Sequence, residues 1–268
     1  MTNPDYDRAK QLALWGLIAH WNELNEGDTD WLQRLLVWEE DERQRRSLQR
    51  RLSQAHIGRF KSLADFDWQW LEKCDRDAVE ELMRLDFISE AANAILLGPN
   101  GVGKSTIARN VAYQAVLHGY TVRFVSASAM LNDLAAQESD SALRRRFKWY
   151  TQPTLLAVDE LGYLAYGNRH ADLLFEVISQ RYEHKSTLVT TNKSFAEWVD
   201  IFPNASCVVS LVDRLVHRAE ILTFQGESYR LKEARERAER KKQQRSARRP
   251  KKSSATRAST PATATVNA

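Results

Sequence analysis

Eight residues, Gly98-Pro99-Asn100-Gly101-Val102-Gly103-Lys104-Ser105, fit the pattern G-x-x-x-x-G-K-[ST] without a mismatch, and they constrain the fold of this 268-residue chain more than any other feature. Such a run works only where a strand turns into a helix. Its glycines let backbone N–H groups converge on phosphate oxygens, and the positive end of the helix dipole faces the same point. That context is present. The apolar run Ala94–Leu97 precedes the loop, and Ile107, Ala108, Val111, Ala112 and Ala115 stripe the segment after it. On this reading Lys104 reaches the β- and γ-phosphates, the Ser105 hydroxyl takes one Mg2+ position, and Thr106 is the last residue of the phosphate-binding run.

Strand-length apolar runs recur at Thr121–Val125, Thr154–Val158 and Thr187–Thr191, with helical stretches such as Leu173-Leu174-Val177-Ile178 between them. Strands alternating with helices predict right-handed crossovers and a parallel sheet covered on both faces. One run ends in two acids, Asp159-Glu160. A carboxylate at the C-terminal end of a strand beside the phosphate loop holds Mg2+ directly or through water, the role read for Asp159. The adjacent Glu160 faces the attacking water as its base, which separates ATP hydrolysis from phosphate binding alone. Asn192 closes another strand, either bonding the γ-phosphate or the lytic water, or capping the helix that begins near Ser194. The run Asp213-Arg214-Leu215-Val216-His217-Arg218 offers arginines of the kind that stabilise a transferred phosphoryl group from a neighbouring subunit. The residues alone leave Arg214, Arg218 and Arg181 open for that role.

The first 60 residues read as helices, with Trp31, Leu35 and Trp38 at helical spacing. Arg43, Arg46 and Arg50 then share one face, either as a phosphate-contacting stripe or as a solvated surface. Phe66, Trp68, Trp70 and Leu71 read as packing groups. A composition 43% hydrophobic and 28% charged is that of a soluble globular protein. No apolar run nears the roughly 20 residues that span a bilayer, and the N-terminus lacks the pattern of a signal peptide. A cytoplasmic protein without a membrane partner is expected. Cys74 and Cys207 form no C-x-x-C, so neither a disulfide nor a zinc scaffold is expected. The net charge of +4 hides a division: from Arg230 onward 13 Lys and Arg face 3 acids, whereas the preceding residues hold 26 basic against 32 acidic groups. The basic end reads as a nucleic-acid arm or a solubilising tail, and its polar composition beyond Glu233 predicts disorder.

Together the runs GPNGVGKST, LLAVDELGYL, ISQRYEHKSTLVTTNKSFAEW, DRLVHRAEIL and GESYRLKE resemble the IstB-like ATP-binding proteins. These are AAA+ helper ATPases of insertion-sequence transposition, related to the DnaC helicase loaders. The likeness extends from the N-terminal helices to about Glu233. It implies a P-loop NTPase (AAA+) of α/β class with a small all-helical domain at 1–60, the ATPase domain at 61–233 and a disordered basic tail at 234–268. It also implies ATP and Mg2+ as ligands, and a homo-oligomer that assembles with ATP on double-stranded DNA and recruits or stimulates a cognate transposase. Asp159 and Glu160 become the Walker B pair, Asn192 becomes sensor 1 and Arg214 the finger. The family's helical insertion corresponds to Ser126–Pro153, where Arg144, Arg145, Arg146 and Lys148 would meet DNA phosphates. A DnaC-like helicase loader is the alternative within this fold. A P-loop small-molecule kinase would lack the water-activating Glu and carry an Arg-rich lid. A DNA-binding scaffold that uses ATP only to oligomerise would show no DNA-dependent turnover.

Overall fold

Two hydrophobic layers with a parallel sheet between them account for most of the buried side chains in the computed structural model, which describes residues 3–163, 167–202 and 205–247. The strands are β1 (Asn93–Leu97), β2 (Val122–Ser126), β3 (Leu155–Leu161), β4 (Ser186–Thr191) and β5 (Ala219–Thr223), in the order β2-β3-β4-β1-β5. Every pairing is parallel. Four of the strands coincide with the apolar runs. The fifth, β5, has no such signal because it lies at the edge of the sheet, where only Leu222 is buried.

Twelve α-helices lie in the described residues: α1 (Pro4–Gln11), α2 (Trp15–Ala19), α3 (Thr29–Ala55), α4 (Arg76–Leu82), α5 (Asp86–Ser89), α6 (Lys104–Leu117), α7 (Ala127–Ala135), α8 (Asp140–Thr151), α9 (Asn168–Arg181), α10 (Trp198–Ile201), α11 (Ala205–Val216) and α12 (Tyr229–Ala247). Side chains alternate across each strand. Ala94, Leu96, Leu155, Ala157 and Leu188 therefore pack with Ile107, Ala108 and Val111 of α6 on one face. Ile95, Leu156, Val158 and Val189 pack with Met130, Leu134, Leu174, Ile178 and Leu211 on the other. A sheet buried on both sides explains why its strands read as continuous apolar runs.

The N-terminal helices hold a small core of their own, Ala9, Leu12, Leu32 and Leu36, closed by a two-pronged pair between Arg8 and Glu40 at 2.8 and 2.7 Å. Helix α3 continues from that cluster to the sheet, where Leu48, Leu52 and Ala55 join the larger core. The inward stripe of α3 is thus Leu32 and Leu36, one position away from the spacing of the tryptophans, and Trp31 and Trp38 are exposed. Of the expected arginine stripe, Arg43 donates to Leu12 O and Arg46 pairs with Glu42, while Arg50 stays exposed. Phe66, Trp68 and Leu71 pack against the α6 side of the sheet, as their apolar character predicts.

The chain divides into two compact units between Ser228 and Tyr229. In the second, α12 runs from Tyr229 to Ala247, so residues 234–247 of the expected basic tail are helical. Ala, Arg, Lys, Glu and Gln are strong helix formers, and the pair Arg240–Glu236 at i,i+4 supports a helix that needs no core. The rest of the expected tail, 248–268, lies outside the described residues.

Candidate nucleotide site

The phosphate loop leaves β1 at Leu97 and enters α6 at Lys104, the strand–loop–helix context its sequence demands. Its conformation requires glycine at two points. Gly101 and Gly103 have φ of +84° and +99°, and a Cβ on either would run into Ser228 or the Phe66 ring. Lys104 is buried and donates to Gly98 O at 2.6 Å and Pro99 O at 2.7 Å, so its ammonium stays within the loop. Asn100 accepts a hydrogen bond from the Tyr163 hydroxyl.

Strand β3 brings the two acids to the same end of the sheet. Ser105 Oγ donates to Asp159 Oδ1 at 2.8 Å, and Thr190 Oγ1 donates to the same oxygen at 2.6 Å. Asp159 Oδ2 faces the Arg109 guanidinium at 3.8 Å, and that guanidinium stacks over Phe124. A hydroxyl and a carboxylate sharing one hydrogen bond put two hard oxygen donors within reach of one cation, the donor set that suits Mg2+. Among the described residues no group of three or more His, Cys, Asp or Glu could hold a metal ion. A cation here would therefore draw its remaining oxygens from phosphate and water.

Glu160 is half-buried and has φ +61°, a left-handed conformation uncommon for a residue with a side chain. Asn192 follows β4, and its Oδ1 is buried with no hydrogen-bond partner. It is not the cap of the next helical turn. That role belongs to Ser194 and Glu197, whose carboxylate accepts the Ser194 N–H and hydroxyl, each at 2.8 Å. An orphaned buried acceptor in a native fold calls for an explanation, and a polar ligand beyond the C-terminal ends of the strands supplies one.

The three candidate arginines separate cleanly. Arg181 is fully buried and donates to five backbone carbonyls, those of Tyr150, Thr151, Pro153, Thr154 and Ser186, and to the Thr187 hydroxyl. Burial pulls its pKa down to about 9. It is a strut of the chain's own core, and this removes it from the finger candidates. Arg214 is half-buried, donates to Ser179 Oγ and stacks on Phe175 and Tyr182. Arg218 is exposed, with its carbonyl accepting from Asn93 N at 3.1 Å.

The insertion Ser126–Pro153 folds as α7 and α8 on the α9 side of the sheet. Arg144, Arg145 and Lys148 of α8 are exposed. Arg146 differs from these three in having partners within the chain. It pairs with Asp133 of α7, which also accepts from the Tyr150 hydroxyl at 2.5 Å, and it lies over the Trp149 and Tyr150 rings. Beneath Trp149, 3.9 Å from the ring centroid, sits the buried Arg123, its pKa lowered by burial. Sequence reasoning missed Thr190 and Arg109. Arg109 was accessible in principle by its i,i+4 spacing from Ser105, whereas Thr190 has no local signal.

The family model described as IstB-like ATP binding protein matches residues 7–237. This chain belongs to that family. A relative from Geobacillus stearothermophilus, named as an ATP-binding protein of insertion sequence IS5376, is 34% identical over 231 residues, covering 86% of this IstB-like chain and 92% of the relative. An IS21 counterpart from Pseudomonas aeruginosa is 36% identical over 193 residues, 72% of this chain and 73% of its own. Among solved structures, DnaI superposes with a TM-score of 0.53 at 16% identity, over 64% of this chain and 91% of that one. The replication initiator DnaA bound to AMPPCP and single-stranded DNA gives 0.51 at 16%, over 67% and 54%. At such identity the IstB-like chain shares their fold, and no more follows from the superposition. Among its described residues no helix is long and apolar enough to cross a membrane.

Proposed function

We propose that this chain is a cytoplasmic, DNA-dependent ATPase that assembles with ATP and Mg2+ on double-stranded DNA and recruits or stimulates a cognate transposase. The observation that carries the reading is the 2.8 Å bond between Ser105 and Asp159 beside Glu160, which gathers cation ligands and a base at the C-terminal ends of the strands. Residues 98–106 bind the ATP phosphates through backbone N–H groups, with Lys104 supplying positive charge. Ser105 and Asp159 would hold Mg2+, which when bound neutralises charge on the phosphate oxygens. Glu160 takes the proton of the attacking water, and Asn192 holds that water or the γ-phosphate. Arg214 acts on the phosphoryl group of a neighbouring subunit, a role supported by its partners lying on and just after α9 and not in its own phosphate loop.

DNA meets Arg144, Arg145 and Lys148 through its phosphates, while Arg146 orients the helix that carries them. The basic residues after 229 add a non-specific share. The names of the insertion-sequence relatives favour transposition over helicase loading. The test is ATP turnover with and without duplex DNA, together with capture of the transposase or of a replicative helicase from purified components. DNA-stimulated turnover with transposase capture is expected. Absent turnover with intact ATP binding would leave a non-hydrolysing scaffold, and capture of the helicase alone would leave a loader.

A further inference from the structure

Paired parallel strands normally advance one residue for one. Between β3 and β4 they do not: Val158 faces Val189 and Leu161 faces Thr191, so Asp159 and Glu160 share the single opposite residue Thr190. This is a β-bulge, and it re-aims the side chains it carries. Its second residue, Glu160, has the left-handed φ of +61°. A bulge also withdraws a backbone N–H from the ladder, and a buried N–H must find another acceptor. Here that acceptor is Thr190 Oγ1, 2.9 Å from Glu160 N. The same hydroxyl donates its proton to Asp159 Oδ1 at 2.6 Å. Thr190 is 2% exposed, and its β-branched side chain is stiff at χ1, so the hydroxyl has little freedom to turn away.

We propose that Thr190 is the positioning residue that sets the base and the cation ligand together, its one hydroxyl holding the Glu160 backbone and the Asp159 carboxylate in a fixed relation. The inference rests on the hydrolytic reading of Glu160 and Asp159. It commits to a chemical requirement at position 190, an atom that both accepts and donates. Serine satisfies that requirement and valine, of nearly the same shape as threonine, does not. With valine, the Glu160 N–H loses its partner and Asp159 Oδ1 keeps only Ser105.

The test compares Thr190→Val and Thr190→Ser in the full chain. In Thr190→Val, kcat for ATP should fall by roughly tenfold to a hundredfold, as expected when a reacting group is displaced by about an ångström. The KM should rise by no more than the Mg2+ contribution that is lost, because the phosphate loop is untouched. Thr190→Ser should keep kcat within about threefold of the parent. A second readout needs no turnover: the affinity of a fluorescent ATP analogue, titrated with Mg2+ and then with EDTA. The gain in affinity from Mg2+ should shrink in Thr190→Val and persist in Thr190→Ser, which a general loss of stability does not produce. Should the valine variant fail to fold, Thr190→Ala is measured in its place. Glu160→Gln run alongside separates the two ideas: normal turnover in that variant would sink the hydrolytic reading, while the Mg2+ gain still decides Thr190. An unchanged Mg2+ gain in the valine or alanine variant, or a serine variant as impaired as valine, overturns the proposal.

Discussion

Ser105 and Asp159 lie 54 positions apart in the chain and share a 2.8 Å hydrogen bond. The bond ties the first turn of α6 to the C-terminal end of β3, and so the phosphate loop to the acids beside it. Substitutions around it should therefore separate nucleotide binding from turnover.

Lys104→Ala removes the buried ammonium that the loop holds 2.6 Å from Gly98 O. Charge-assisted hydrogen bonds are worth about 1.5–3 kcal/mol, so ATP affinity should fall by roughly tenfold to a hundredfold. Equilibrium dialysis reads this directly, and unchanged binding would refute the loop assignment.

Glu160→Gln keeps the shape of the bulge residue but cannot take a proton. ATP should remain bound while turnover falls by roughly 10²-fold or more. Single-turnover kinetics on preloaded protein separates this from weak binding. Parental turnover would mean that another group is the base.

Arg214→Ala should leave ATP binding by isolated subunits nearly intact and reduce turnover in the assembly. Mixed with Lys104→Ala, it should regain some activity, since an intact loop on one subunit meets an intact arginine on the other. No recovery, together with weakened binding by the subunit alone, would place Arg214 in its own subunit's site.

The basic helix gives a graded prediction. Replacing Arg144, Arg145 or Lys148 by Ala should make the log–log salt slope of duplex affinity shallower by about 0.9 for each phosphate no longer neutralised. Arg146→Ala should behave differently, lowering the unfolding midpoint in urea because Asp133 loses its partner. If Arg146→Ala instead changes only the salt slope, the Asp133 pair is dispensable and Arg146 belongs with the residues that meet phosphate.

Arg181→Lys is conservative in charge and should be severe in stability. Lysine offers three donors where arginine serves six acceptors, and each buried carbonyl left bare costs about 1–3 kcal/mol. Urea unfolding should show a loss of about 3 kcal/mol or more. Little loss of stability with abolished turnover would restore Arg181 as a candidate finger.

Four strands and the phosphate loop were legible because their signals are local: an apolar run buried on both faces, and a glycine pattern with one structural meaning. Asp159 and Glu160 were legible for the same reason, as acids closing an apolar run. Thr190 was not, because its hydroxyl matters only through a register shift between two strands, and a register is a property of the pair. Arg146 and Arg181 look like any surface arginine in the sequence. What distinguishes them is Asp133 on the preceding helix and a ring of carbonyls from two distant stretches, 150–154 and 186, neither of which has a periodicity to read. Edge strand β5 escaped because half-exposed strands lose the apolar run that marks the others.

Arg181 has one more consequence. Its guanidinium fastens Pro153 and Thr154 just before β3, Ser186 at the start of β4, and Tyr150 and Thr151 at the end of α8. Both acids sit at the far end of β3, about 20 Å away at roughly 3.3 Å per residue, and Thr190 sits at the far end of β4. A rigid strand turned at one end would act as a lever on the other. A tilt of about three degrees at the bolt swings the tips by about 1 Å, enough to take a base out of reach of its water. The last turn of the basic helix is fixed to the same bolt, so one guanidinium anchors both that helix and the strand that carries the acids.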